Sequence, residues 1–308
     1  MSTVSQQQTL VASPNAPTVE TPFRRFAGEF MESPIAVLAL AVIGILVALA
    51  VTAPWFVPQN PYDLAQVDVM DSRLPPGSKS GGGYIHILGT DGSGRDLFSA
   101  MLYGLRISLL VGAMSGVIAM IVGATIGLSA AYVGGRVEGA IMRLVDLQLS
   151  FPAILLALML IAVLGKGVDK IIFALVTVQW AYYARTVRGT ALVERQKDYV
   201  EAARGLGLSN ARILARHILP NCLPPLIVVG TVQTAHAIAL EATLSFLGVG
   251  LPQTEPSLGL LISNGFEYML SGKYWISFFP GVLLLVVIVA INLVGDQVRD
   301  VLNPRLKR

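Results

Sequence analysis

At 308 residues, with 54% hydrophobic and only 13% charged side chains, and a mean hydropathy of +0.67, the chain is far too apolar for an ordinary soluble domain, where about a quarter of residues are charged. It reads as a polytopic membrane protein. A net charge of +3 would hint at nucleic acid in a soluble protein, but the basic residues here lie mostly between apolar runs, where membrane topology accounts for them and no nucleic-acid partner is needed. The single cysteine, Cys222, excludes an internal disulfide and any cysteine-based metal or iron–sulfur centre.

Residues 1–33 are rich in Ser, Thr, Gln and Pro without apolar periodicity and read as a disordered tail, its end carrying Arg24 and Arg25. Residues 34–53 hold a first transmembrane helix, the apolar run from Ile35 to Ala53 having about the 20 residues a bilayer needs. Ala48-Leu49-Ala50 mimics a signal-cleavage site, but the run is longer than a signal core and its leader unusually long, so an uncleaved anchor is expected. Residues 54–104 form a polar, turn-rich loop. Within it, Asp91, Arg95 and Asp96 stand among glycines; they lack a calcium-loop pattern and the Gly-Lys-Ser/Thr ending of a nucleotide loop, so a structural turn is expected.

Residues 105–295 form a five-helix core with apolar segments at Ile107–Val133, Leu147–Leu164, Val168–Thr186, Cys222–Leu247 and Ile276–Val294, followed by a C-terminal tail at 296–308. The fold class is therefore an all-α polytopic membrane protein with six transmembrane helices. On the second span Gly112, Gly116, Gly123 and Gly127 have the small-residue spacing that lets helices approach closely in lipid. Arg143 with Asp146, and Asp296 with Arg299, are placed for local ion pairs one turn apart. Pro252, Pro256 and Gly259 precede a short apolar helix ending near Leu270, which reads as re-entrant or interfacial.

Between two apolar runs lies the polar, arginine-bearing stretch Tyr199–Asn221, within a loop at 188–221. It reads as two short helices around a turn. Glu201, Ala202 and Ala203 favour the first, Gly205 and Gly207 interrupt, Ser209 can cap the second, and Pro220 is expected to stop it. Six spans put both termini on one side of the membrane. Fifteen Lys and Arg fall on that side and seven on the other, so the positive-inside rule makes the termini and this stretch cytoplasmic. A helical hairpin there has small residues that let a partner approach, the mark of a docking element.

The fifth span carries Gln233, His236 and Glu241. Ionisable groups at membrane depth normally face a protein interior or a water-filled path, so these three are possible translocation-path residues, the alternative being interhelical hydrogen bonds. They do not share one strict helical face. Ser115 and His236 could in principle serve an intramembrane protease, but nothing orients that histidine. There is no GxxxxGK[ST] and no HExxH, so no catalytic residue, cofactor or metal is expected in this chain.

The stretch Tyr199–Asn221 resembles the EAA loop of bacterial ABC-importer permeases, with Glu201-Ala202-Ala203, Gly207 and Leu219-Pro220 at that loop's spacings, though His217 takes a usually hydrophobic place. That departure suits the dipeptide, oligopeptide and nickel branch, whose C-type (second) permease often reads His-hydrophobic-Leu-Pro-Asn. Leu88-Gly-Thr-Asp-Gly-Ser-Gly-Arg-Asp96 and the tail from Gly295 to Arg305 resemble the same branch, and the likeness extends over about residues 30–308. The resemblance implies a type I ABC-importer permease fold in a bacterial inner membrane, with Glu201, Ala202, Ala203, Gly205, Gly207, Leu219 and Pro220 in a cytoplasmic coupling helix and its flank. It implies a homologous permease as heterodimer partner, two ATP-binding subunits that carry ATP and Mg, and a periplasmic or lipid-anchored solute-binding protein; the loop at 54–104 would then be periplasmic. It further implies import of dipeptides or oligopeptides. Nickel chelates, glutathione or another small solute on the same architecture is the alternative, and a secondary transporter without an ATPase is the rival class.

Overall fold

The computed structural model describes residues 21–302, apart from 64 and 256. Expectations for residues 1–20 and 303–308, Arg305 of the C-terminal motif included, lie outside the described residues. The chain is helical almost throughout. A short helix α1 (Pro22–Met31) leads into α2 (Pro34–Phe56), which starts where Ser33 Oγ accepts from the Ala36 amide at 3.3 Å and Pro34 occupies the first turn. The expectation of a disordered tail through residue 33 is thus corrected over α1. Phe26 and Phe30 fall one turn apart and pack with Ala36, Val294 and Val298, so partners distant in sequence supply the order that composition did not promise.

The stretch after α2 contains a two-stranded antiparallel ribbon, β1 (Ser78–Lys79) with β2 (Ile85–His86). It ends at Asp96, whose side chain accepts from the Ser99 amide at 2.8 Å and opens α3 (Leu97–Val133). Gly134, at φ 69°, ends α3 and turns the chain into α4 (Gly135–Ser150), followed by α5 (Ala153–Leu164) and α6 (Val168–Glu194). Next come α7 (Asp198–Gly205), α8 (Asn210–Ile213), a π turn (Leu214–Ile218), α9 (Leu219–Phe246), α10 (Leu258–Phe266) and α11 (Trp275–Leu302).

Among the described residues four helical stretches are long and apolar enough to cross a membrane: α2, α3, the run Asn210–Phe246, and α11. A fifth is reached only if α4 and α5, bent by 91°, count as one. The expected continuous span Leu147–Leu164 is therefore broken. Phe151 is extended (φ −81°, ψ 138°) before Pro152, as the proline ring demands of the residue that precedes it. The remaining candidate, α6, carries Asp169, Lys170, Gln179, Arg185 and Arg188 along its length and runs eight residues past the expected end at Thr186.

The glycines of α3 do what their spacing predicts. A Cβ on Gly123 or Gly127 would overlap the carbonyl oxygens of Trp180 and Ala184 on α6, while one on Gly112 would lie 2.5 Å from Ile238 Cγ1 and one on Gly116 3.0 Å from Thr234 Oγ1, both on α9. One helix thus seats two neighbours by backbone approach, the packing mode available where lipid offers no hydrophobic drive. The expected local ion pairs do not form. Asp146 pairs instead with Arg185 across the α4–α6 contact, and Asp296 and Arg299 both line a groove against α6 and α9 without pairing with each other.

Candidate coupling surface and membrane polar residues

Helix α7 begins with Asp198 and Glu201 in its first turn, where carboxylates oppose the positive helix end, and has Arg204 in its last. Its ending is a Schellman motif: the Leu208 amide donates to Ala203 O at 3.2 Å and the Gly207 amide to Arg204 O at 2.9 Å. Gly207 sits at φ 73°, where a side chain is strained, and a Cβ there meets nothing within 4 Å. Val200 and Ala203 are buried against Val187, Ala191, Ile213, Ile218 and Cys222. Glu201, Ala202, Gly205 and Gly207 are exposed, and Leu206 at the tip is 81% exposed. One face of the hairpin is thus fastened to the bundle, and the other presents small residues and one large apolar side chain.

Expectation and structure differ in the second half of the hairpin. Ser209 occupies the N-cap position with extended backbone but makes no side-chain cap bond. Pro220 does not stop the helix, which runs from Asn210 to Phe246. The π turn explains this: the Leu219 amide reaches back five residues to Leu214 O, and the widened turn makes room for a proline ring that would meet the carbonyl four residues back in a regular α-helix. Leu219 is half-buried and Pro220 exposed.

The hairpin is held at its base by polar contacts. Glu194 at the end of α6 accepts from Lys197 Nζ at 2.6 Å and from the Tyr199 hydroxyl at 2.5 Å, and Asn221 Nδ2 donates to Tyr199 at 3.1 Å. Removal from water, together with the adjacent Glu194 carboxylate, pushes Tyr199 up to about 12. For Glu194, burial acts upward, but the bonds from Lys197 and Tyr199 outweigh it and hold the carboxyl below its ordinary value. Nearby, Arg188 Nε donates to Glu138 on α4 at 2.8 Å and Arg195 Nη1 to Ala131 O on α3 at 2.5 Å, so α3, α4 and α6 converge beside α7.

The three membrane residues are not brought together. Gln233 is buried, and it is its backbone carbonyl that accepts from Gln179 Nε2 at 2.9 Å. His236 is exposed on the outer face of α9. Glu241 is fully buried and accepts from Ser108 Oγ on α3 and Ser245 Oγ, each at 2.8 Å. The serine partners were missed in the sequence, although the Glu241–Ser245 spacing of one turn signals one of them. Before α3, Asp91 accepts from the amides of Ser93 and Arg95 at 2.8 and 3.0 Å and pairs with Arg95 Nε at 2.7 Å, so this segment folds as a buried turn. Arg95 Nη1 also reaches Gln253 O, 3.2 Å away in the loop before α10.

Comparison with known proteins bears on this arrangement. Residues 123–308 match the family described as binding-protein-dependent transport system inner membrane component, and residues 21–76 match the N-terminal TM domain of oligopeptide transport permease C. The chain is 44% identical over 270 residues, 88% of each chain, to a putative peptide transport system permease protein of Brucella suis biovar 1. It is 38% identical over 295 residues, 96% of this chain and 97% of the other, to the dipeptide transport system permease protein DppC of Escherichia coli K12. Among solved structures, an inward-facing MetNI methionine ABC transporter aligns with a TM-score of 0.54 at 22% identity, covering 66% of this chain and 96% of that one, which shows a shared fold. On both sequence and fold, the chain belongs to the binding-protein-dependent transport system inner membrane components, as a non-catalytic C-type permease subunit of an ABC transporter.

Proposed function

We propose that this chain, paired with a homologous permease, forms the inner-membrane path for dipeptides or oligopeptides delivered by a solute-binding protein, driven by two ATP-binding subunits that hold ATP and Mg. The observation that carries the reading is the exposed face of α7, with Glu201, Ala202, Gly205, Leu206 and Gly207 outward, on a hairpin whose second arm continues through the π turn into α9. Movement of an ATPase bound to that face would be passed directly to a membrane helix. The peptide substrate rests on the names of the relatives in Brucella suis and Escherichia coli.

In this reading the membrane is crossed six times, by α2, α3, the bent pair α4/α5, α6, the Asn210–Phe246 run and α11, with both termini and α7 cytoplasmic and residues 57–96 outside. The excess of Lys and Arg on the α7 side supports the orientation. The flanks of α6, with Lys170 at one end and Arg185 and Arg188 towards the other, suit a span whose polar residues face neighbouring helices. His236 belongs to the path, because an imidazole exposed on α9 at membrane depth is costly against lipid and is accommodated against water or a partner subunit. Gln233 and Glu241 support that wall from inside the chain.

The test is affinity purification of the tagged chain in mild detergent with mass spectrometry of what stays bound, followed by ATP-driven peptide uptake in liposomes. Recovery of a second permease and ATP-binding subunits, with uptake of a labelled dipeptide, is the expected result. A chain that purifies alone and still supports uptake overturns the reading.

A further inference from the structure

Glu241 is a carboxylate with no exposure that takes part in none of the ion pairs among the described residues. Its surroundings are nonetheless built for it. Ser108 from α3 and Ser245 from α9 donate to its two oxygens, and the Ser257 hydroxyl stands beside the same carboxyl. All three serines are fully buried. Ser257 is the N-cap of α10, and its Oγ also accepts from the Leu260 amide at 3.2 Å. The hydroxyl that starts α10 with its lone pair thus stands beside Glu241 of α9.

The backbones close around this point. A Cβ on Gly259 of α10 would overlap Ala242 of α9, one on Gly104 of α3 would lie 3.1 Å from the Leu258 amide, and one on Gly250 would overlap Ser245. Glu241 therefore stands where α3, α9, the loop after α9 and α10 converge. At the other end of the same unbroken run, Asn210–Phe246, lies the coupling hairpin.

We propose that Glu241 is a positioning residue that clamps α10 to α9 and α3, so that displacement of the coupling segment at one end of the Asn210–Phe246 rod reaches α10 at the outer face. The clamp stands on the two serine bonds and the close backbone approaches around Glu241; its role in transport rests on the function proposed above. The carboxyl acts as a two-oxygen acceptor for hydroxyls that can also accept, so a carboxamide of the same shape retains the clamp.

Two measurements test this. Spin labels at exposed Thr243 of α9 and exposed Glu267 at the end of α10, introduced as cysteines in a Cys222→Ala background, report the α9–α10 distance in the full chain. The expected result is one narrow distance in the parent and in Glu241→Gln, and a distribution about twice as broad in Glu241→Ala, as the release of a local tertiary contact produces. An unchanged distribution in Glu241→Ala overturns the clamp. In the assembled transporter, uptake per ATP hydrolysed is expected to fall at least about five-fold in Glu241→Ala, the low end of coupling between distant sites, and to be restored by Glu241→Gln. A parallel loss of hydrolysis and uptake indicates a merely structural residue and overturns the lever. Should Glu241→Ala fail to fold, Ser257→Ala, which removes one hydroxyl, carries both measurements under the same criteria. A parent chain with a narrow distance but no ATP-driven uptake overturns the transport function and leaves the clamp standing.

Discussion

The Tyr199 hydroxyl donates to Glu194 Oε2 at 2.5 Å, closing the turn that joins the last residue of α6 to the first turn of α7. Lys197 holds the other oxygen of the same carboxylate and Asn221 on α9 donates to the tyrosine, so α6 and α7 meet on one acidic side chain and α9 joins them through the tyrosine. The base of the hairpin is thus fixed by charge, and its tip is left open.

That network has a pH window. Glu194 is held below its ordinary 4.5 in the folded chain, so its contribution is present above that value and is lost as pH falls through the lowered one. Tyr199 is raised from 10.0 to about 12, so its contribution is full below 10.0 and disappears as pH rises through about 12. The thermal midpoint of the detergent-solubilised chain should therefore lose an increment at each limb. Tyr199→Phe should abolish the alkaline increment, and Glu194→Gln should abolish the acid one and weaken the alkaline one. Midpoints measured from about pH 2.5 to about pH 12.5, so that both windows are crossed, decide the matter; identical profiles for parent and variants would refute it.

Gly207 separates fold from docking. Its φ of 73° costs a non-glycine residue about 1–2 kcal/mol, yet within the chain a side chain there meets open space. Gly207→Asn, which tolerates the left-handed region, should fold and bind the ATPase nearly as the parent does. Gly207→Leu should lower stability by only that small amount while losing most ATPase recovery in pull-downs, because its bulk is directed at the partner. Full recovery with Gly207→Leu would exclude this face as the docking surface.

A contrast within the glycines tests helix packing. Gly123→Ala places a methyl on the Trp180 carbonyl of α6, and overpacking of this kind costs about 1–3 kcal/mol. Gly139 in α4 has nothing within 4 Å, so Gly139→Ala should stabilise by about 0.5–1 kcal/mol through helix propensity alone. Thermal midpoints in one detergent should move in opposite directions.

Much of this was legible from residue type and spacing. The apolar runs locate α2, α3, α9 and α11, the glycine pattern of α3 anticipates its two close contacts, and the Glu201-Ala202-Ala203 and Gly207 spacing marks the hairpin and its turn. Features set by partners far apart in sequence were not legible. The order of Pro22–Met31 comes from Val294 and Val298, Asp146 chooses Arg185 over Arg143, and the serines around Glu241 come from α3 and the start of α10. Two prolines misled in opposite directions. Phe151-Pro152 announced the break that an eighteen-residue apolar run concealed, and Pro220 suggested a stop that the π turn absorbs.

The turn before α3 holds a buried ion pair. Asp91 and Arg95 are almost fully buried as a pair, 1% and 5% exposed, but their duties are unequal. Asp91 accepts two backbone amides besides the guanidinium, whereas Arg95 adds one bond to Gln253 O. Breaking a buried pair by removing one partner leaves an uncompensated charge and costs about 3–5 kcal/mol. Asp91→Ala should therefore destabilise more than Arg95→Met, since it orphans an arginine and two amides together. The double variant should lose clearly less than the sum, because the second change removes the charge stranded by the first. Arg95→Met should also loosen the loop before α10, read as faster amide exchange at residues 250–255 with α7 unaffected. Strict additivity, or an exchange change that spreads to α7, would show that the pair does not act as a local tie between the loop before α3 and the loop before α10.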